Sequence, residues 1–162
     1  MVLAIISDTH LPRGSRRLPE ACVERLRCAD LVLHGGDLST EGILAELESL
    51  GPPVLAVHGN VDSDGLRRRL PAERGIDAGG ARLAMLHDAG PAQGRLARLR
   101  RRFSDAEAVV FGHSHIPLHE EVDGFQIFNP GSPTDRRRQP RHTMGLATIE
   151  RGRISFELVP LD

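Results

Sequence analysis

The stretch that decides the fold is Asp30–Asp37, DLVLHGGD. Its short apolar run, Leu31–Leu33, predicts a buried strand, and the two glycines that follow allow the backbone to turn sharply. The turn delivers one carboxylate, that of Asp37, just past the end of the strand. Because open α/β sheets bind ligands outside the carboxyl ends of their strands, this position predicts a functional aspartate.

The same arrangement, an apolar run followed by polar side chains, occurs at four other places in the chain. These are Met1–Ile6 before Ser7-Asp8-Thr9-His10, Pro53–Val57 before His58-Gly59-Asn60, Ala81–Leu86 before His87, and Glu107–Phe111 before Gly112-His113-Ser114-His115. Carboxylate, imidazole and amide groups are common metal ligands. The candidate metal ligands are therefore Asp8, His10, Asp37, Asn60, His87, His113 and His115.

The order of the elements predicts an α/β fold. The first part reads as strand 2–6, helix 19–29, strand 31–34, a helix capped by Ser39 or Thr40, and strand 54–57, an order typical of parallel strands with right-handed crossovers. The second part reads as a helix over 64–70, a hairpin of 75–78 and 81–87, a helix opened by Pro91, strand 108–111, and hairpins 117–121/125–128 and 143–149/153–159. A parallel half followed by an antiparallel half predicts two sheets packed face to face with helices outside.

Composition restricts the class of protein. With 162 residues, the chain fits one domain, 1–162, that can bury about 70% of its unfolded surface. A net charge of −1 and the absence of Trp and Tyr disfavour nucleic acid as a partner. The opening MVLAII is too short for a signal peptide or a membrane span, and Cys22 and Cys28 read as two free thiols. These features predict a cytoplasmic protein without a membrane partner.

The seven candidate ligands match the needs of a two-metal hydrolase. Two divalent cations about 3.5–4 Å apart require a bridging carboxylate, several neutral imidazoles and open positions for water. Asp8-x-His10 and His113-x-His115 each place two side chains on one side of an extended backbone, so each pair can reach a single site. The alternative is a set of polar loop residues that only satisfy one another's hydrogen bonds.

Five motifs in this order resemble those of the calcineurin-like metallophosphoesterases. They are Asp8-x-His10, Gly36-Asp37, Gly59-Asn60-x-Asp62, His87 and Gly112-His113-x-His115. The later Asn129-Pro130-Gly131-Ser132 is similar to the NPGS signature of the small, single-domain bacterial and archaeal phosphodiesterase branch. The resemblance implies a four-layer α/β/β/α sandwich of two mixed β-sheets flanked by helices, with a dinuclear metal site.

The resemblance also implies a role for each ligand. Asp8, His10, Asp37 and His115 would hold the first metal, and Asp37, Asn60, His87 and His113 the second. Asp37 would bridge the two ions, and Asn60 would also contact substrate, so both count as catalytic. A water or hydroxide shared by the metals would attack phosphorus in line. Manganese is the expected metal, and iron, zinc, nickel, cobalt and magnesium are alternatives that mixed nitrogen and oxygen ligands also suit.

The expected function is hydrolysis of a small or nucleotide-derived phosphodiester. Phosphatases of the superfamily have a histidine after the asparagine, a proton donor for the leaving group, where this chain has Val61. Its absence disfavours the nearest alternative, a phosphomonoesterase, because alkoxide leaving groups need a proton. Another alternative is a non-catalytic protein-interaction scaffold of the same fold, like the retromer subunit that resembles this family but has lost histidine ligands.

Four further residues are candidates for substrate contacts: Arg13, His34, His58 and Arg136. For His34, at the end of a buried strand, a hydrogen bond to backbone is the alternative. For Arg136, which follows the NPGS turn, the alternative is an exposed loop. The oligomeric state stays open, with a homodimer through an edge strand or a helix face as one option.

Overall fold

The computed structural model describes residues 1–162, which form ten strands and four helices. The strands are β1 (Val2–Ile6), β2 (Leu31–His34), β3 (Val54–Ala56), β4 (Glu73–Ala78), β5 (Ala81–Leu86), β6 (Ala108–Val110), β7 (Leu118–Val122), β8 (Phe125–Asn129), β9 (Thr143–Glu150) and β10 (Arg153–Pro160). The helices are α1 (Glu20–Cys28), α2 (Glu41–Glu48), α3 (Asp64–Arg69) and α4 (Arg95–Arg102). None of the helices has the length and apolar character needed to cross a membrane.

The strands form two five-stranded mixed sheets. The first has the order β10-β9-β1-β2-β3 and the second the order β4-β5-β6-β8-β7. As predicted, β1, β2 and β3 are parallel. The division into a parallel half and an antiparallel half is wrong, because the last hairpin joins the first sheet and β6 pairs in parallel with both β5 and β8. β1 is buried along most of its length, so its backbone N–H and C=O groups on the side away from β2 need hydrogen-bonding partners. β9 provides them.

The core has three apolar layers, and the strand period of two explains them. On β1, Leu3 and Ile5 point between the sheets, where they join Met85, Val110 and Phe128 of the second sheet. The alternate residues of β1, with apolar residues from α1, α2 and α3, form a layer on the outer face of the first sheet. A third layer lies between the second sheet and α4. This confirms the predicted four-layer α/β/β/α sandwich.

Two details differ from the sequence-based expectation. The helix expected to open at Pro91 begins only at Arg95, because Gly94 has a φ of 66° and a helix cannot continue through a left-handed residue. Thr40 is the N-cap of α2, but its side chain makes no capping hydrogen bond. The two thiols are free, as predicted, with Cys22 buried and Cys28 exposed.

Candidate metal centre

All seven candidate ligands lie together at one end of the sandwich. Asp8 and His10 follow β1, and Asp37 and Asn60 follow β2 and β3 of the same sheet. The remaining ligands, His87, His113 and His115, follow β5 and β6 of the second sheet. The carboxyl ends of parallel strands therefore bring together residues that are up to 107 positions apart in the sequence (115 − 8).

Three of these residues form what we call the first donor cluster: Asp8, His10 and His115. The Nε2 atoms of the two imidazoles are 3.2 Å apart, and the rings are stacked. Asp8 Oδ1 lies 3.5 Å from His115 Nε2 and 4.0 Å from His10 Nε2. The three donor atoms thus surround a space that one cation can occupy.

The second donor cluster comprises Asn60, His87 and His113. Asn60 Oδ1 is 3.1 Å from both His87 Nε2 and His113 Nδ1, and these two nitrogens are 3.3 Å apart. Asp37 lies between the two clusters. Asp37 Oδ2 is 3.6 Å from His10 Nε2 and 3.3 Å from His87 Nε2, which is the position expected of a bridging carboxylate.

Backbone carbonyl groups orient two of the imidazoles. His115 Nδ1 donates to the carbonyl oxygen of Asp135 at 2.5 Å, and His87 Nδ1 donates to that of Gly35 at 2.8 Å. The Nε2 lone pair of the neutral His115 ring then faces Asp8 Oδ1, 3.5 Å away, which is repulsive unless a cation lies between them. Hydrogen bonding of the far ring nitrogen in this way is typical of metal-binding histidines. The donor set therefore fits divalent cations.

The backbone at this centre is strained. Five of the seven candidate ligands have φ angles in the left-handed region: Asp8 (56°), His10 (47°), Asp37 (60°), His113 (67°) and His115 (59°). Such conformations cost of order 1–3 kcal/mol each in residues with a Cβ, and they concentrate at functional sites. The strain indicates that the surrounding fold holds these loops in a required geometry.

Burial and neighbouring charges shift the acidities of the ligands. Burial raises the pKa of Asp8 to about 7, although the His87 charge and the Ser7 hydroxyl act in the opposite direction. Burial also acts to raise the pKa of Asp37, but hydrogen bonds from His87 and the Val61 N–H outweigh it and the pKa falls to about 2. In the first donor cluster, burial lowers the pKa of His115 to about 4, so its imidazole is neutral, as a metal ligand must be.

Several supporting residues were not singled out from the sequence. Asp62 is buried and accepts hydrogen bonds from the N–H groups of Asp37 (3.0 Å), Ser39 (2.7 Å) and Gly59 (2.6 Å), so it ties two ligand loops together. Its place in the Gly59-Asn60-x-Asp62 motif was the available signal.

Two serines support Asp8 in a similar way. Ser7 Oγ donates to the Asp8 carboxylate at 2.7 Å, and Ser132 Oγ donates to the Asp8 carbonyl oxygen at 2.8 Å. The second bond brings the Asn129–Ser132 turn against the first ligand loop.

The four candidates for substrate contacts have different surroundings. His58 lines a groove beside the second donor cluster. Arg13 and Arg136 are exposed, and Arg136 is bonded to its own loop through the Gln139 carbonyl oxygen. The charge of the neighbouring Arg137 also lowers the pKa of His115, although burial of His115 has the larger effect.

His34 requires a correction. It has no exposed surface, its Nε2 pairs with Thr9 Oγ1 at 3.1 Å, and its Nδ1 accepts from the Gly36 N–H at 3.1 Å. Burial lowers its pKa to about 3. Because both ring nitrogens are used inside the protein, a substrate contact by His34 is excluded in this conformation, and the ring instead supports the turn that delivers Asp37.

Comparisons with known proteins find similarities over most of the chain. A family model described as the calcineurin-like phosphoesterase superfamily domain matches residues 1–152. A probable metallophosphoesterase from Methanothermobacter thermautotrophicus is 36% identical over 137 residues, which cover 83% of this chain and 78% of that protein.

Two solved structures are similar over nearly the whole chain. The Zn²⁺ complex of Vps29 from Entamoeba histolytica is 24% identical and covers 100% of both chains with a TM-score of 0.79. An archaeal phosphodiesterase is 20% identical and covers 98% of this chain and 100% of its own, with a TM-score of 0.76. At these identities, both similarities show the fold.

Proposed function

Because the chain belongs to the calcineurin-like phosphoesterase superfamily, we propose that it is a phosphodiesterase that hydrolyses a small or nucleotide-derived phosphodiester with two divalent ions bound at this centre. The observation that carries the proposal is the position of Asp37 Oδ2, within 3.6 Å of a donor nitrogen in each cluster. A carboxylate placed between two such clusters is what a two-metal site requires. Manganese is our first choice among the divalent metals.

The bound ions would lower the pKa of a water molecule and neutralise charge on the phosphoryl oxygens. The protein's own contribution is to orient the substrate and to hold the ligands in place. Asn60 turns its Oδ1 towards the two histidines of its cluster, so its amide nitrogen is free to donate to a phosphoryl oxygen. The Asp62 carboxylate fixes the loops of Asp37 and Asn60 relative to each other.

Preference for a diester is consistent with the surroundings of Asn60. The residue after it is Val61, which is 47% exposed and whose side chain cannot transfer a proton. A substrate with a good leaving group needs no such donor.

Two exposed apolar residues adjacent to ligands, Val61 and Ile116, instead favour the scaffold alternative, in which a protein partner covers the centre.

The test compares bis-p-nitrophenyl phosphate with p-nitrophenyl phosphate. The chelator-stripped protein is assayed with Mn²⁺, Ni²⁺, Zn²⁺ or Mg²⁺ added back. We expect a metal to restore activity, diesterase activity to exceed monoesterase activity, and Asp37→Asn and His115→Ala to abolish both. The matched control is His142→Ala, since His142 lies outside the centre and pairs with Asp162.

The outcomes separate the alternatives. Monoesterase activity in excess would identify a phosphomonoesterase. Binding of metal without cleavage of either ester would contradict the enzymatic proposal and favour the scaffold. Full metal content in Asp37→Asn would contradict the assignment of the ligands.

A further inference from the structure

A groove of about 360 Å³ opens beside the second donor cluster. Its lining includes Asn60, His87 and His113 of that cluster, together with Glu73 and Arg102. Glu73 belongs to β4 and Arg102 to the last turn of α4, so the groove lies where these two elements meet. A group that fills the groove therefore contacts the second donor cluster. The groove is therefore placed to hold one ester group of a bound phosphodiester.

The charges of the groove are balanced. Arg67 and Arg102 carry positive charge, and Glu73 and Asp88 carry negative charge. Both guanidinium groups make hydrogen bonds within the protein: Arg67 donates to the carbonyl oxygens of Asn60 (2.5 Å) and Asp62 (3.0 Å), and Arg102 Nη2 donates to Glu73 Oε2 at 2.6 Å. With two positive and two negative side chains in its lining, the groove has no excess of positive charge to attract a second anionic group of a substrate. The groove thus disfavours a charged substituent.

The groove is also poorly suited to an apolar group. Only two of its eleven lining residues are hydrophobic, Ala72 and Leu86. None of the five phenylalanines of the chain lines it, so the flat side chains available for stacking are imidazole and guanidinium groups. By contrast, Glu73 and Arg102 lie side by side, and beyond the one Nη2–Oε2 hydrogen bond that joins them they offer further acceptor and donor positions. Such a pair can accept a hydrogen bond from one hydroxyl group and donate to the oxygen of a neighbouring one.

We propose that this groove selects phosphodiesters with an uncharged, hydroxyl-bearing alcohol group, such as a glycerol or a sugar, and that Glu73 and Arg102 recognise its hydroxyl groups. The inference rests on the proposed phosphodiesterase function and specifies its substrate class. A site that hydrogen-bonds a substrate hydroxyl rejects analogues lacking that hydroxyl, because its own polar groups are then left unpaired.

The experiment compares two inhibitors of the metal-loaded protein that carry the same charge. Di(glyceryl) phosphate has hydroxyl groups on both esters, and dibutyl phosphate has chains of similar size without them. Each competes with bis-p-nitrophenyl phosphate in the release of p-nitrophenolate. We expect di(glyceryl) phosphate to inhibit with a constant about tenfold lower than that of dibutyl phosphate, the effect of one hydrogen bond to a charged group.

Substitutions test whether Glu73 and Arg102 cause the preference for di(glyceryl) phosphate. Glu73→Gln and Arg102→Gln are expected to weaken inhibition by di(glyceryl) phosphate about tenfold and inhibition by dibutyl phosphate less than twofold. The matched control is Arg69→Gln, which breaks an ion pair of similar exposure outside the groove, between Arg69 Nη2 and Glu48 Oε1 at 2.9 Å. This control should leave turnover and both inhibition constants unchanged.

Two results would overturn the inference: equal inhibition by the two phosphates in the unmodified protein, or a preference that survives both groove substitutions. If the protein does not cleave bis-p-nitrophenyl phosphate at all, the proposed function fails separately. Calorimetric titration of the metal-loaded protein with each phosphate then decides whether the groove prefers hydroxyl groups.

Discussion

Because several ligand residues have left-handed backbone conformations, we expect glycine to destabilise the protein less than alanine at these positions. At His113, φ is 67° and the side chain is 45% exposed, so removal of the ring sacrifices little packing. Glycine adopts this backbone conformation freely, whereas alanine does not. In the metal-free state we therefore expect His113→Gly to have a free energy of unfolding about 1 kcal/mol higher than His113→Ala.

Urea denaturation in the presence of chelator measures this difference. The control is the same pair of substitutions at His142, which has no positive φ, and there alanine should be the more stable. An alanine variant at residue 113 that is as stable as the glycine variant would show that the left-handed backbone is not strained.

The acidities of two ligands predict that metal binding depends on pH. Burial raises the pKa of Asp8 to about 7. For His87, burial acts to lower the pKa, but the hydrogen bond and charge of Asp37 and the charge of Asp8 outweigh it and the pKa is raised. Both groups retain protons that must leave before a metal can bind. Metal affinity should therefore fall as the pH is lowered through about 7.

Calorimetric metal titrations in two buffers with different ionisation enthalpies test this expectation. At pH 6.5 the heat should depend on the buffer because protons are released, and at pH 8.5 the dependence should be smaller. Buffer-independent heats at pH 6.5 would contradict the raised pKa values.

At the scale of elements, α3 and α2 differ in how they begin. Ser63 caps α3, since its Oγ accepts a hydrogen bond from the Leu66 N–H at 3.2 Å, and α3 follows directly on the loop of Asn60 and Asp62. Thr40 occupies the equivalent position of α2 without a side-chain hydrogen bond. We expect Ser63→Ala to lower the free energy of unfolding by about 1 kcal/mol and Thr40→Ala to lower it by less. Thermal unfolding of both variants measures the difference, and equal losses would contradict it.

The sequence predicts those elements whose signals are local. The apolar run and glycines of Asp30–Asp37 identify β2 and its turn without reference to any other part of the chain. The pairing of β9 with β1 joins residues 140 to 146 positions apart, and no local pattern records it. The helix α4 began later than expected because an isolated Gly94 does not reveal its φ angle.

The candidate site also has features that the local sequence predicts and features that depend on tertiary packing. Each ligand follows an apolar run, so it could be identified from the sequence as a strand-end residue. The role of Asp62 depends on N–H groups of two different loops, and the groove depends on α4 packing beside β4. These arrangements are consequences of tertiary packing, which spacing along the chain does not specify.

At the scale of the whole molecule, the centre connects the two sheets. The loops after β1, β2 and β3 supply ligands from the first sheet, and those after β5 and β6 supply ligands from the second. A cation bound by both sets stabilises only the state in which the sheets are docked. At a free metal concentration of 100 times the dissociation constant, the free energy of unfolding should rise by about 2.7 kcal/mol per site.

Hydrogen exchange shows whether this stabilisation reaches both sheets. Strands β1 and β6 lie at the centres of their sheets, so their amides should exchange by global unfolding and slow down together when metal is added. Asp37→Asn, which removes a negative charge from the position between the donor clusters, should reduce the effect in both strands equally. Slowing confined to β1 would mean that the ions are held by the first sheet alone, and the two-cluster centre would then be wrong.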